Sequence, residues 1–175
     1  MKPKNNFAIN IRKAKLGDLE AIYKIGLLEE GFAVSKETRF YGKDYLRQMI
    51  QESEESIILV AEIKEEIAGF VICSLCGNTW AMWDNLAVAE KWQKRGVATK
   101  LTKKLLNELQ KRGIDYVGGI VRVENKPVIK FLKKFGFEKG YKFWWMERKT
   151  RPLWLEHKKD IKRFKKENPS IPGTD

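Results

Sequence analysis

Cysteine and histidine are scarce in this sequence, which holds two cysteines and one histidine among 175 residues. Cys73 and Cys76 form a single C-x-x-C spacing, and no second pair is present to complete a tetrahedral zinc shell. The pair also falls at the end of a predicted strand, where residues three apart point to opposite faces. His157 lies in a basic C-terminal segment. We therefore predict ordinary thiols and no metal site.

Long apolar runs are also missing. No stretch of 18 apolar residues occurs, and the first 15 residues carry charges without the apolar core that a signal peptide needs. We expect a soluble, cytoplasmic protein with no membrane partner. With 43% hydrophobic residues, the chain is long enough for one domain and too short for two. We assign that domain to residues 1–150, followed by a basic extension over residues 151–175.

The net charge of +12 is divided unevenly along the chain. Residues 91–139 carry 14 Lys and Arg against 4 Asp and Glu, a net charge of +10. Residues 16–66 carry 6 against 12, a net charge of -6. The basic segment suits a phosphorylated ligand and the acidic segment suits a cationic one, although either could be only a solvated helix face.

The hydrophobic periodicity indicates a mixed α/β (α+β) domain. Alternating or continuous apolar stretches bounded by turn residues predict strands, and apolar residues three or four apart predict helices. The predicted strands are 9–14, 57–63, 67–75, 80–88, 116–123 and 141–147. The predicted helices are 19–27, 42–54, 97–112 and 127–135, with a Lys-rich helix from Trp154 in the C-terminal extension.

The loop between the strand ending at Val88 and the helix beginning at Val97 reads Gln93-Lys94-Arg95-Gly96. A loop that opens a helix exposes backbone N–H groups, and the helix dipole adds positive potential there. Gly96 would let an anion approach the main chain closely. This segment is a candidate phosphate cradle, although a loop with no ligand could have the same spacing.

Three sequence motifs resemble those of the GNAT superfamily of N-acetyltransferases. Residues 85–88 (Asn-Leu-Ala-Val), followed by Gln93-x-x-Gly96-x-Ala98, resemble the strand and loop of its motif A. Residues 125–128 (Asn-Lys-Pro-Val) through 135–137 (Phe-Gly-Phe) resemble its motif B. Ile11, Arg12, Ala14, Asp18 and Leu19 resemble its opening strand and helix. The resemblance covers residues 9–147, with the motifs in the family's order and distance.

The resemblance implies a single-domain GNAT fold with a mixed central sheet of six or seven strands, about four flanking helices and, here, an added basic C-terminal helix. It implies acetyl-CoA as cosubstrate, held along the strand by the main chain of Leu86 and Val88. The Leu86 N–H would polarise the thioester carbonyl. The cofactor-binding residues it implies are Leu86, Ala87, Val88, Gln93, Lys94, Arg95, Gly96, Val97, Ala98, Thr99, Asn125 and Lys130.

The usual catalytic residues of the family are not matched in this sequence. The position of its motif B tyrosine corresponds to Leu132, and the two positions that hold a glutamate in some members correspond to Ile120 and Met82. We take Asp84 and, after it, Glu124 as candidate bases because they lie at strand ends that flank the expected thioester. Tyr141 is the candidate acid.

The predicted reaction is acetyl transfer to a primary amine by direct attack in a ternary complex. The acidic segment favours a cationic acceptor such as a peptide N-terminus, a polyamine or another small amine, with Glu29, Glu30 and Glu37 near the mouth of its groove. A catalytically silent acyl-CoA-binding module is the alternative. A nucleic-acid or ribosome-associated role through the basic tail has no aromatic stacking platform behind it, so nucleic acid is an unlikely partner. A homodimer is left open.

Overall fold

A five-stranded sheet forms the centre of the computed structural model, which describes residues 7–33, 40–52, 54–146, 148, 163 and 166. Its strands are β1 (Asn10–Lys13), β2 (Ser56–Ile63), β3 (Glu66–Leu75), β4 (Trp80–Val88) and β5 (Tyr116–Gly119). The strands lie in the sheet in chain order, with β4 and β5 parallel and the other neighbours antiparallel.

In the part of the chain that the structure describes, four α-helices and three short 3-10 helices accompany the strands. The α-helices are α1 (Leu19–Leu28), α2 (Lys43–Gln51), α3 (Val97–Lys111) and α4 (Lys126–Lys133), and the 3-10 helices are Leu16–Asp18, Glu30–Phe32 and Glu90–Trp92. Pro127 occupies the first turn of α4, where its missing N–H costs no hydrogen bond. In the described part of the chain, no helix has the length and apolarity needed to cross a bilayer.

The sheet separates two hydrophobic cores. On one face, Leu101, Leu105 and Leu109 of α3 are spaced four apart, and each is at most 2% exposed. On the other face, α1 and α2 pack their apolar sides against β2, β3 and β4. Complete burial of one leucine contributes roughly 1.5–3 kcal/mol, so these helix faces fix the ends of β4 and α3 relative to each other.

The structure corrects the predicted strands at the C-terminal side of the sheet. It has five strands among the described residues, and β5 ends at Gly119 instead of 123. Residues 141–146 form no strand and are exposed, although their apolar pattern favours one. Strand propensity is insufficient without a neighbouring strand to accept the backbone hydrogen bonds. The predicted C-terminal helix and Glu37 lie outside the described residues, apart from Arg163 and Lys166.

An ion cluster joins the first strand to the turn that precedes α1. Both guanidinium nitrogens of Arg12 donate to Asp18, at 2.6 and 3.0 Å, and its Nε donates to Glu62 at 2.8 Å. The Lys15 N–H also donates to Asp18 Oδ2 at 2.8 Å. Burial acts to raise the pKa of Asp18, but the hydrogen bonds from Arg12 and Lys15 outweigh it and lower that pKa. This nearly buried carboxylate therefore depends on Arg12.

Replacement of Arg12 should test this dependence. Arg12→Met should lower the free energy of unfolding by about 3 kcal/mol, because it leaves Asp18 as a buried charge without its partner. Asp18 has a lowered pKa in the folded state, so the stability it contributes is present above its unfolded pKa of about 4 and is lost at lower pH. The difference between the variant and the wild type should therefore shrink below about pH 4.

Urea unfolding monitored by circular dichroism measures both effects. Arg47→Met is the matched control, since Arg47 pairs with Asp44 on an exposed face of α2 and should cost less than about 1 kcal/mol. Equal destabilisation by the two substitutions would show that the Arg12 cluster is an ordinary surface ion pair.

Candidate functional site

Strands β4 and β5 separate part of the way along the sheet. Their parallel register runs from Trp80 opposite Tyr116 to Trp83 opposite Gly119, which is the last pair between them. A Cβ atom at Gly119 would lie 3.0 Å from the Trp83 carbonyl oxygen, so the missing side chain permits this close approach. Beyond this pair, β4 continues to Val88 with β3 as its hydrogen-bonded neighbour in the sheet.

The main-chain groups of Leu86 and Val88 point into the gap between the separated strands. The Ala89 N–H donates to the Ala68 carbonyl at 2.9 Å, toward β3. Because successive residues of a strand alternate in direction, the amides and carbonyls of Leu86 and Val88 point away from β3. This stretch of β4 is a free strand edge in the sense that no described backbone group pairs with it on this side, so an extended ligand can add to it as a strand would.

The free edge leads directly into the N-terminus of α3. Gly96 precedes the helix with a φ of +83°, a left-handed conformation that favours glycine, and no side chain caps the first turn. A Cβ atom at Gly96 would meet nothing within 4 Å, so the space in front of the helix is open. The Gln93 side chain donates to the Val88 carbonyl at 3.1 Å and ties this loop to β4.

Aromatic side chains pack against the loop of residues 93–96. Trp92 is buried and packs edge-on against Phe7, with ring centroids 5.7 Å apart. The Arg95 guanidinium lies over both rings, at 5.7 Å from Phe7 and 5.5 Å from Trp92. Its Nε also donates to the Lys91 carbonyl at 3.3 Å. The Arg95 side chain thus braces the loop.

Asp84 occupies a β-bulge in β4. Cys73 of β3 pairs with Trp83 and Ile72 pairs with Asn85, which leaves Asp84 as the extra residue. Its Oδ2 accepts two hydrogen bonds from Ser74, one from the N–H at 2.9 Å and one from the hydroxyl at 2.7 Å. Burial raises the pKa of Asp84, and the two Ser74 donors partly oppose that rise. The bulge therefore holds a proton acceptor beside the free edge.

Two neighbouring groups respond to the charge of Asp84. Burial, then the charges of Asp84 and Tyr45, raise the pKa of Tyr41. Burial, then the charges of Asp84 and Cys76, raise the pKa of Cys73 to about 12. Cys73 is fully buried and is therefore an unreactive thiol at neutral pH, as the sequence predicts. Tyr41 stays protonated and is available as a hydrogen-bond donor.

The predicted site residues between Glu124 and Tyr141 differ in their contacts and in their exposure. The Asn125 side chain accepts from the Val128 N–H at 3.3 Å and caps α4, and its amide nitrogen lies near Gly31. Lys130 is exposed on α4. The Glu124 side chain is 71% exposed and lies 3.8 Å from Arg122, while Tyr141 is 91% exposed. Burial and fixed hydrogen bonds therefore set Asp84 apart from the other two predicted catalytic residues.

This chain has apolar residues at the positions that carry catalytic side chains in some family members. Leu132 packs against the α3-side core, and Ile120 is exposed. Trp83 is buried on the α3 side with its ring 5.5 Å from Phe137. The bulge at Asp84 changes which face each following side chain occupies.

A cavity of about 720 Å³ opens near Ser74, at the end of the sheet where β3 finishes. Its lining includes three carboxylates, those of Glu52, Glu54 and Glu55, and one cation, Arg112. The acidic segment of the sequence therefore contributes directly to a concave surface on the Ser74 side of the bulge.

Ser74 is the hydrogen-bond partner of Asp84 that sequence reasoning missed. A regular hairpin would place Asp84 opposite Ile72, an apolar residue, and Ser74 opposite Met82, so direct cross-strand pairing does not predict the contact. At the bulge, the Ser74 hydroxyl donates to Asp84. A buried-strand pattern interrupted by serine, facing a strand with an aspartate, is the signal that could have suggested the pair.

Comparison with known proteins agrees with this geometry. The model of the acetyltransferase (GNAT) family matches residues 19–137. An uncharacterized N-acetyltransferase of Methanocaldococcus jannaschii is 31% identical over 140 residues, which are 74% of this chain and 59% of that protein. The chain thus spans less than two thirds of the length of this curated relative.

Solved structures share the fold. Ard1 from Thermoplasma volcanium is 25% identical, with a TM-score of 0.63 over 77% of this chain and 85% of that one. The PaiA N-acetyltransferase of Thermoplasma acidophilum, solved with coenzyme A, is 20% identical, with a TM-score of 0.63 over 75% of this chain and 90% of that one. The family model covers well over half of the sequence, and the chain belongs to the GNAT family of acetyltransferases.

Proposed function

We propose that the protein transfers the acetyl group of acetyl-CoA to a primary amine. The observation that carries this proposal is the free edge of β4 at Leu86 and Val88, which leads into the glycine-opened N-terminus of α3. An extended amide-containing arm fits the edge, and a pyrophosphate fits the helix end. Acetyl-CoA combines the two groups in one molecule.

The chain offers a donor for each part of the cosubstrate. The main chain of Leu86, Ala87 and Val88 borders the pantetheine arm, and the Leu86 N–H donates to the thioester carbonyl. Amides of residues 94–99 hold the pyrophosphate, and Lys130 is an exposed cation for the adenosine phosphates. Membership of the family and the relative solved with coenzyme A support this assignment.

In the chemical step, the amine nitrogen forms a C–N bond to the acetyl carbon while the thioester C–S bond breaks. One proton passes from the amine to Asp84, and coenzyme A leaves as the thiolate. A thiol of pKa about 8.5 is a tolerable leaving group, so the step does not require an acid at Leu132. The exposed positions of Glu124 and Tyr141 make both weaker candidates than Asp84.

We propose a cationic acceptor. Glu29 and Glu30 lie at the turn beside Asn125, since the Gly31 that follows them is close to the Asn125 amide nitrogen. Glu54 and Glu55 line the cavity near Ser74. Carboxylates thus lie both at the turn beside Asn125 and in the cavity near Ser74, and they would raise the local concentration of a cation.

The experiment that tests the proposed function is an assay of coenzyme A release. The protein is given acetyl-CoA with a panel of peptide N-termini, polyamines, aminosugars and anionic amines, and the free thiol is measured. Steady release with at least one cationic amine supports acetyl transfer. Binding of acetyl-CoA without release in any lane would instead favour a silent acyl-CoA-binding module.

Gly96→Glu should abolish acetyl-CoA binding. The new side chain would fill the open space in front of α3 and place a carboxylate among the phosphate donors. Gly113→Glu is the matched control, because Gly113 also has a positive φ of +71° and free space, but lies at the other end of α3. Calorimetry should show wild-type affinity for the control only. A folded Gly96→Glu variant with unchanged affinity would overturn the site.

Asp84→Asn should lower kcat about 100-fold at neutral pH and leave the acetyl-CoA KM nearly unchanged, because proton transfer is lost and cofactor contacts remain. The raised pKa of Asp84 means that kcat/KM of the wild type should fall at a higher pH than for an ordinary aspartate. Ser74→Ala removes one donor to the carboxylate, so this acidic limb should move to still higher pH.

Full pH–rate profiles from pH 5 to 9 check both variants. Ser56→Ala is the control for loss of a buried serine hydroxyl, since Ser56 lies opposite Ser74 in β2 but donates to the Met49 carbonyl and not to Asp84. Comparable turnover of Asp84→Asn and wild type across this range would exclude Asp84 as the base.

Replacement of carboxylates by amides tests which pair, Glu29 and Glu30 or Glu54 and Glu55, attracts a cationic acceptor. Replacing Glu29 and Glu30 by Gln should lower kcat/KM for a cationic acceptor about threefold at low salt and should leave kcat unchanged, because exposed carboxylates act mainly on encounter. Added salt should shrink the difference. The double Gln variant at Glu54 and Glu55 is the matched comparison. Equal activity of all three proteins on basic and neutral amines would show that these charges are only a solvated face.

A further inference from the structure

The side-chain oxygen of Asn85 is buried, and among the described residues it has no hydrogen-bond partner. An amide oxygen left in this state destabilises the fold relative to one that is paired. Leucine, which has nearly the same shape, would remove the cost. A fold that needed only packing at this position has no use for an asparagine, so a donor from outside the described residues is the natural partner.

Asn85 lies between the two groups that the proposed reaction uses. It follows Asp84, the proton acceptor, and precedes Leu86, whose N–H points into the gap between β4 and β5. Asn85 pairs with Ile72, which belongs to the core on the α1 and α2 side of the sheet. Ser74 is two residues beyond Ile72 on β3 and therefore shares that face. The orphan oxygen and the hydroxyl that holds Asp84 are thus on one side of the sheet.

The attacking amine needs a hydrogen-bond acceptor. A primary amine that directs its lone pair at the acetyl carbon retains two N–H groups. One proton passes to Asp84, and the other N–H requires an acceptor of its own while the nitrogen becomes positively charged. A neutral oxygen beside Asp84 supplies that acceptor without adding a second carboxylate, which would disfavour the charged form of the base.

We propose that the Asn85 side-chain oxygen accepts a hydrogen bond from the nitrogen of the acceptor amine and aims its lone pair at the thioester. This inference rests on the proposed acetyl transfer. Asn85 then contributes to acceptor binding and orientation, whereas acetyl-CoA is held by the main chain of β4 and by the loop before α3. Replacement of Asn85 should therefore weaken recognition of the acceptor without lowering the stability of the fold.

Asn85→Leu is the direct test. It should lower kcat/KM for the preferred acceptor 10- to 100-fold, leave the acetyl-CoA Kd within about twofold by calorimetry, and leave Tm unchanged or raised, because an unsatisfied polar atom is removed. Asn107→Leu, on the exposed face of α3, is the control for asparagine-to-leucine exchange. Asn85→Asp keeps an oxygen in the same volume and should therefore keep the wild-type KM for the acceptor, whereas its kcat should fall because the second carboxylate raises the pKa of Asp84.

Three outcomes separate the possibilities. A stabilised Asn85→Leu variant with wild-type kcat/KM would show that the oxygen binds only a water molecule, and would overturn the contact. An equal rise of the acceptor KM in the leucine and aspartate variants would overturn it too, because the oxygen that the aspartate retains would not matter. A wild-type protein that releases no coenzyme A with any amine would overturn the proposed function and, with it, this inference.

Discussion

The divergence of β5 from β4 after the Trp83–Gly119 pair is the constraint on which the rest of the site depends. Elsewhere in a sheet, the amides of Leu86 and Val88 would be bonded to the next strand. Here the buried faces of α1, α2 and α3 hold β4 rigid from both sides, so its edge stays extended although one neighbour has departed. The fold supplies a pre-formed partner for an extended ligand, and binding need not pay the entropy of ordering a loop.

The bulge at Asp84 is the second feature that shapes the candidate site. In a regular β4, Asp84 would lie opposite the apolar Ile72. The extra residue instead pairs Asn85 with Ile72, on the α1 and α2 side, and Asp84 accepts two hydrogen bonds from Ser74. One local irregularity thus brings together a carboxylate and an amide oxygen of β4 and a hydroxyl of β3. Bulges commonly re-aim side chains beside active sites.

Much of this arrangement could be predicted from the sequence. The spacing of Leu101, Leu105 and Leu109 gave α3, and Gly96 gave its open N-terminus, because both are local signals. The bulge could not be predicted, since Asp84 and Asn85 interrupt the apolar pattern of β4 but do not show that one of them is an extra residue without a partner on β3. The strand expected over 141–147 was wrong for a related reason: apolar residues indicate that a segment could pair, whereas the position of a neighbouring strand depends on the whole fold.

The most direct test of the account is amide hydrogen exchange with and without coenzyme A. The account predicts that the amides of Leu86 and Val88, together with those of residues 97–99, gain protection on binding, while the Ala87 and Ala89 amides, which face β3, change little. This alternation along one strand is the signature of a ligand added to the free edge of β4. Protection elsewhere, or equal protection of all residues from Leu86 to Ala89, would contradict it.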